Sequence, residues 1–128
     1  MQKERSIILI DGSHDYPWAK VLKDSLNPMD ILEIIHEDNA VTLIAQRNYD
    51  LVIIDAAAVR DAPLLVSHIR TKCNDARIMI VTASPTWRRA REAFQAGATD
   101  YVQKSLDTKE TKLTIQAALK KTPPPWSH

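Results

Sequence analysis

Apolar and polar residues along this chain form two kinds of segment that alternate. Short apolar runs typical of buried strands occupy residues 6–10, 30–37, 51–54, 78–81 and 100–104. The intervening and following segments place apolar residues at helical spacing, over residues 16–26, 39–48, 63–71, 85–97 and 107–120. Five strands that alternate with five helices predict an α/β fold with a mostly parallel sheet.

Local signals suggest where several of these helices begin and end. Pro63 and Pro85 are predicted to open helices, because proline is tolerated in a first helical turn. Gly97 suits the left-handed position that follows a helix. Asp107 and Glu110, three residues apart, predict a capping box at the start of the last helix.

The polarity of each strand predicts its place in the sheet. The first, third and fourth runs are continuously apolar, as strands covered on both faces should be. The second run carries Asp30, Glu33 and His36, and the fifth carries Gln103 and Lys104, so both are predicted to be edges. With right-handed crossovers this gives a doubly wound (βα)5 sheet of order 2-1-3-4-5, a flavodoxin-like three-layer sandwich.

Composition narrows the possible functions without choosing one. The 128 residues suit one domain, and a net charge of +1 gives no broad attraction to nucleic acid or membranes. A single cysteine, Cys73, fits a reducing cytoplasm, and no apolar stretch approaches the roughly 20 residues that cross a bilayer. Only two glycines are present, which excludes the glycine-rich loops of common nucleotide-binding motifs.

Four polar residues follow or end the predicted strands. Asp11 ends the first strand, Asp55 the third, Thr82 the fourth and Lys104 the fifth. Ligands of such sheets bind at the carboxyl ends of the strands, where the winding reverses between strands one and three. Two neighbouring carboxylates repel each other unless a cation lies between them, and Mg²⁺ is a natural occupant. The sequence therefore predicts a charged crevice around Asp11 and Asp55.

Over residues 5–120 the chain resembles the receiver domains of bacterial two-component response regulators. The resemblance rests on "ILIDG" (8–12), "YDLVIIDAA" (49–57), "IMIVTAS" (78–84), "AFQAGATDYVQKS" (93–105) and the amphipathic last helix. It implies a cytoplasmic signalling domain over residues 1–121, without independent enzymatic turnover. Residues 122–128 then form a proline-rich tail or the start of a linker.

The resemblance also implies a role for each residue of the crevice. Asp55 matches the phosphoacceptor, which receives a phosphoryl group from a histidine kinase or a phosphotransfer protein. Asp11, Asp55 and the backbone carbonyl of Ala57 match the Mg²⁺ ligands. Lys104 matches the lysine that contacts the phosphoryl oxygens.

Two further positions match the residues that carry the family's conformational change. Thr82 matches the hydroxyl that moves toward the phosphoryl group, and Tyr101 matches the aromatic whose rotamer follows. Their coupled shift implies a switchable surface on helix four, strand five and helix five. A C-terminal output domain or a separate protein would read that surface, and a homodimer is compatible with it. No direct nucleic-acid or membrane binding is implied.

The chain departs from the family pattern beside the predicted metal site. Gly12 stands where the family has the second of two adjacent acids. One carboxylate fewer predicts weaker Mg²⁺ binding. Two alternatives to a phosphorylated receiver therefore stay open: a pseudo-receiver that binds partners independently of phosphorylation, and a small α/β enzyme working in the same crevice.

Overall fold

The computed structural model describes residues 4–11 and 16–120, with only the backbone for Tyr16 and Pro17. The five strands are β1 (Ser6–Ile10), β2 (Ile31–Ile35), β3 (Leu51–Asp55), β4 (Ile78–Thr82) and β5 (Asp100–Gln103). The five helices are α1 (Tyr16–Ser25), α2 (Glu37–Gln46), α3 (Ala62–Lys72), α4 (Trp87–Ala96) and α5 (Thr108–Lys120). The predicted proline-rich tail, residues 122–128, lies outside the described residues.

The strands form one parallel sheet in the order β2-β1-β3-β4-β5. The predicted order is confirmed, including the placement of β2 and β5 at the two edges. All residues of β3 and β4 are buried, whereas β2 has only exposed and half-buried positions. The continuous apolar runs therefore mark the strands that are covered on both faces.

The core lies in two layers, one on each face of the sheet. Ile8, Val52 and Ile80 belong to a cluster that also contains buried residues of α2, α3 and α4. Leu9, Ile53 and Val81 belong to a second cluster, with buried residues of α1 and α5. Successive strand residues point to opposite faces, so each strand contributes alternately to both layers.

Two helices begin at residues other than the predicted ones, because side chains cap their first turns. α4 begins at Trp87, because the Thr86 hydroxyl accepts a hydrogen bond from the Arg89 N–H at 3.1 Å and so caps the helix. The predicted start at Pro85 was therefore two residues too early. α2 begins at Glu37, ahead of residue 39, because His36 Nδ1 accepts from the Asp38 N–H at 3.2 Å.

The start of α5 is a variant of the predicted capping box. Asp107 Oδ1 accepts from the backbone N–H groups of Lys109, at 2.8 Å, and Glu110, at 3.3 Å. The Glu110 carboxylate accepts from the Ser105 hydroxyl at 3.0 Å, and that hydroxyl accepts from the Asp107 N–H at 3.1 Å. Ser105 thus relays the contact that the two residues of a capping box usually make directly.

Arg70 ties three parts of the backbone together on the α3–α4 side. Its guanidinium donates to the carbonyl oxygens of Asn74, Ala76 and Gly97. Gly97 ends α4 as predicted, with φ of 113°, a conformation that costs glycine little because it has no Cβ. The end of α4 is therefore fixed to the end of α3 and the approach to β4.

Within residues 4–11 and 16–120, no helix is long and apolar enough to cross a membrane.

Candidate functional site

An ion pair lies at the carboxyl end of the sheet, between β3 and the residue after β5. Lys104 Nζ lies 2.7 Å from Asp55 Oδ2, and the second carboxylate oxygen, Oδ1, accepts from the Ala57 N–H at 3.0 Å. The side chain of Asp55 is only 1 % exposed and that of Lys104 is 11 % exposed. A buried carboxylate needs such partners, because removing it from water is otherwise strongly unfavourable.

The backbone holds both members of this pair in place. The Ala56 N–H donates to the Val81 carbonyl at 2.9 Å, which continues the β3–β4 ladder past Asp55. The Lys104 N–H donates to the Thr82 carbonyl at 2.8 Å, which continues the β4–β5 ladder in the same way. By strand alternation Asp55 and Lys104 share the α1–α5 face of the sheet, so the lysine reaches the carboxylate across β4.

Thr82 and Tyr101 lie on the other face and line one cavity of about 310 Å³. Thr82 is buried, and its hydroxyl accepts from the Ser84 N–H at 3.2 Å. The Tyr101 hydroxyl accepts from the N–H of Thr86, the cap of α4, at 3.4 Å. The structure therefore brings the two predicted switch residues to the same cavity and places one of them against the start of α4.

Asp11 follows β1, on the strand next to Asp55. Ile10 pairs with Ile54, so the two aspartates occupy the next register position on neighbouring strands. The Asp11 N–H donates to the Ile35 carbonyl at 2.9 Å, and the residue is half-buried. The neighbouring Gly12 lies outside the described residues.

The oxygen donors at this site fit a hard cation such as Mg²⁺, but they carry little negative charge. Asp11, Asp55 and the Ala57 carbonyl are all oxygen donors, which Mg²⁺ prefers, and it commonly takes one or two carboxylates with several waters. Across residues 4–11 and 16–120, no group of three or more histidine, cysteine or acidic side chains is arranged to hold a metal. Lys104 already neutralises the Asp55 carboxylate, which reduces the negative charge that the site offers a cation.

Sequence reasoning missed two features of this end of the molecule. The Ala57 N–H binds Asp55 directly, whereas the resemblance pointed only to the Ala57 carbonyl. Arg60, after β3, binds the carboxylates of Glu37 and Asp38 at 3.0 Å each and so joins this loop to α2. No sequence signal marks the Arg60 contacts, because the partners are more than twenty residues apart in the chain.

Several solved structures share this architecture. A two-component response regulator of the LuxR family from Aurantimonas is 26 % identical, with a TM-score of 0.80 over 94 % of this chain and 89 % of its own. A response regulator from Thermotoga maritima is 18 % identical, with a TM-score of 0.80 over 93 % of this chain and all of its own. An orphan response regulator of H. pylori is 23 % identical, with a TM-score of 0.75 over 94 % of this chain and all of its own.

Comparison with protein-family models agrees with the structural likeness. No curated protein sequence matches the chain. The family model of the response regulator receiver domain matches residues 7–116, which is most of the chain and includes all five strands except the first residue of β1. The chain therefore belongs to the response regulator receiver domain family.

Proposed function

We propose that this receiver domain accepts a phosphoryl group on Asp55 from the phosphohistidine of a kinase or phosphotransfer protein. The observation that carries the proposal is the pairing of Asp55 with Lys104 at 2.7 Å, at the carboxyl end of the central strand β3. The pair combines a carboxylate nucleophile with a cation that can follow the transferred charge. Positioning and charge stabilisation supply most of the catalysis in phosphoryl transfer.

The family sets the general context for this proposal. Receiver domains are signalling domains of two-component systems, act with histidine kinases and output domains, and are generally not enzymes. They generally bind Mg²⁺ at their acidic pocket. Here Asp11, Asp55 and the Ala57 carbonyl would hold the ion, which would neutralise charge on the phosphoryl oxygens.

In the proposed transfer, one carboxylate oxygen of Asp55 attacks the phosphorus atom of the phosphohistidine. An O–P bond forms while the P–N bond breaks, and the bonding electron pair stays on the imidazole nitrogen. The Lys104 ammonium moves from Asp55 Oδ2 to an oxygen of the new acyl phosphate. The Ala57 N–H keeps the other oxygen, Oδ1, in place during the transfer.

Thr82 and Tyr101 would transmit the change to the surface. A Thr82 hydroxyl that turns toward the phosphoryl group loses its 3.2 Å contact with the Ser84 N–H and leaves space in the shared cavity. When the Tyr101 ring enters that space, its hydroxyl leaves the Thr86 N–H at the start of α4. The predicted output surface of α4, β5 and α5 would thereby shift between two states.

A phosphorylation-independent interaction module is the second candidate function. It is favoured by Gly12 in place of an acid and by an Asp55 carboxylate whose two oxygens both already have partners. Such a domain would use the same α4–β5–α5 surface without chemistry at Asp55. A C-terminal output domain, a separate partner protein or a homodimer would be its counterpart.

Intact mass spectrometry after incubation with acetyl phosphate and Mg²⁺ tests the first proposal. We expect the mass of one added phosphoryl group on the wild type, and on Asp61→Asn, a matched control that keeps the cap of α3. Asp55→Asn should carry no adduct. If neither acetyl phosphate nor a panel of histidine kinases labels the wild type, the interaction module replaces the phosphorylated receiver.

A further inference from the structure

The outer face of α4 carries a stripe of large exposed side chains. Trp87, Arg91 and Phe94 are spaced i, i+4 and i+7, so they lie on one side of the helix over about two turns. Trp87 is 84 % exposed and Phe94 is 44 % exposed. The opposite side of the helix carries the buried Ala93 and packs on the core.

A tryptophan that is left exposed to water lacks the stabilisation that burying its large apolar surface would give. Aromatic side chains bury 150–250 Å² each when they are covered, and tryptophan and arginine are the residues most enriched among binding hot spots. Along this stripe, Arg91 lies between the aromatic residues Trp87 and Phe94. A surface of this composition, next to the capping residue that touches Tyr101, is suited to a partner that covers Trp87.

The charges around the stripe indicate what kind of partner fits. Arg88 and Arg91 are exposed beside the stripe, and Glu92 is the single acid of α4. Glu92 lies 3.8 Å from Arg88, a weak contact at a side chain that is 90 % exposed. Arg91 forms no ion pair with any described residue. The outer face of α4 is therefore cationic, and its natural complement is a negatively charged surface.

We propose that this face, formed by Trp87, Arg88, Arg91 and Phe94, docks an acidic segment of a partner protein. A carboxylate of that segment binds Arg91, and an apolar side chain covers Trp87. The inference rests on the proposed function only in that α4 is part of the proposed output surface. It gives the partner's chemistry, which family membership does not supply.

An acidic protein fits this face better than nucleic acid does. Binding to nucleic acid depends on many phosphate contacts, whereas this chain has a net charge of +1 and gathers only three arginines on α4. A second copy of the chain is a weaker match as well, because the α4 face of each copy would bring like charges together in a two-fold dimer.

Selection from a random-peptide display library tests the proposal, with affinities of the enriched peptides measured by fluorescence polarisation. We expect acidic peptides with at least one large apolar residue. Trp87→Ala and Arg91→Glu should each weaken their binding roughly tenfold or more. The matched pair Leu64→Ala and Lys72→Glu, exposed residues of α3, should leave it unchanged.

Four results would overturn the proposal: no retained peptides, enrichment of neutral or basic peptides, unchanged affinity in the α4 variants, or stronger binding of oligo-dT than of any peptide. A concentration-dependent dimer that Trp87→Ala abolishes would also overturn it, in favour of self-association. Repeating the assay with Asp55→Asn and with acetyl phosphate separates the two proposals. If the wild type gains no phosphoryl adduct but still docks the peptides, only the phosphorylation proposal fails. If the wild type gains the adduct but docks no peptide, only the docking proposal fails.

Discussion

Replacing Lys104 with methionine should destabilise the fold by about 3 kcal/mol. The unit charges of Lys104 and Asp55 lie 2.7 Å apart. At an effective dielectric constant of about 20 this separation corresponds to a gross attraction of about 6 kcal/mol. Removing both charges from water offsets much of that attraction, but removing one partner of a buried pair costs about 3–5 kcal/mol. The lower value applies because Lys104 keeps 11 % of its side chain exposed.

Urea unfolding followed by circular dichroism measures this effect. With a denaturant slope of about 2 kcal/mol per molar, the unfolding midpoint of Lys104→Met should fall by roughly 1.5 M. The double variant Asp55→Asn, Lys104→Met should recover most of the loss, since the unpaired carboxylate is then gone. Lys112→Met, an exposed lysine of α5, is the matched control and should stay near the wild type.

Two outcomes would refute this reasoning. The first is a Lys104→Met midpoint within about 0.3 M of the wild type, well below the shift expected for a buried pair. The second is an equal cost of Lys104→Met in the wild-type and Asp55→Asn backgrounds, because a double-mutant cycle then gives no interaction energy. Either result would mean that solvent, and not Lys104, compensates the Asp55 charge.

Three further predictions concern other parts of the molecule. Gly12→Asp should raise Mg²⁺ affinity about tenfold or more by restoring a carboxylate, and isothermal titration calorimetry would show an unchanged affinity if the added acid does not reach the ion. Arg70→Lys should cost about 2 kcal/mol in urea unfolding, because one compact ammonium replaces the two guanidinium nitrogens that reach the three carbonyl oxygens, and a neutral result would show that water replaces these bonds. Burial, and then the hydrogen bond to Asp75, raises the pKa of the Cys73 thiol. Iodoacetamide labelling should therefore reach half its maximal rate at a higher pH than for a free cysteine, and Asp75→Asn should lower that midpoint. The raised pKa favours the folded state below the thiol's unfolded pKa, and this contribution should disappear as the pH rises through the folded value.

The sequence by itself determined the layered fold and the strand order. Uninterrupted apolar runs such as residues 51–54 can only lie between two covered faces, whereas Glu33 and Gln103 are tolerated at edges. The same periodicity put Asp11, Asp55, Thr82 and Lys104 at the carboxyl ends of the strands. Residue type and position along a strand are local properties, so the sequence states them directly.

Only the tertiary structure decided which of these side chains touch and which backbone groups support them. Lys104 reaches Asp55 across β4, Arg60 joins two loops, and Arg70 binds three carbonyls, each over a sequence separation that no local pattern records. The helix starts at Glu37 and Trp87 likewise depend on where His36 and Thr86 find an unpaired N–H. The exposure of Trp87 is the same kind of property, because periodicity shows which residues could be buried and only packing shows which are left in solvent.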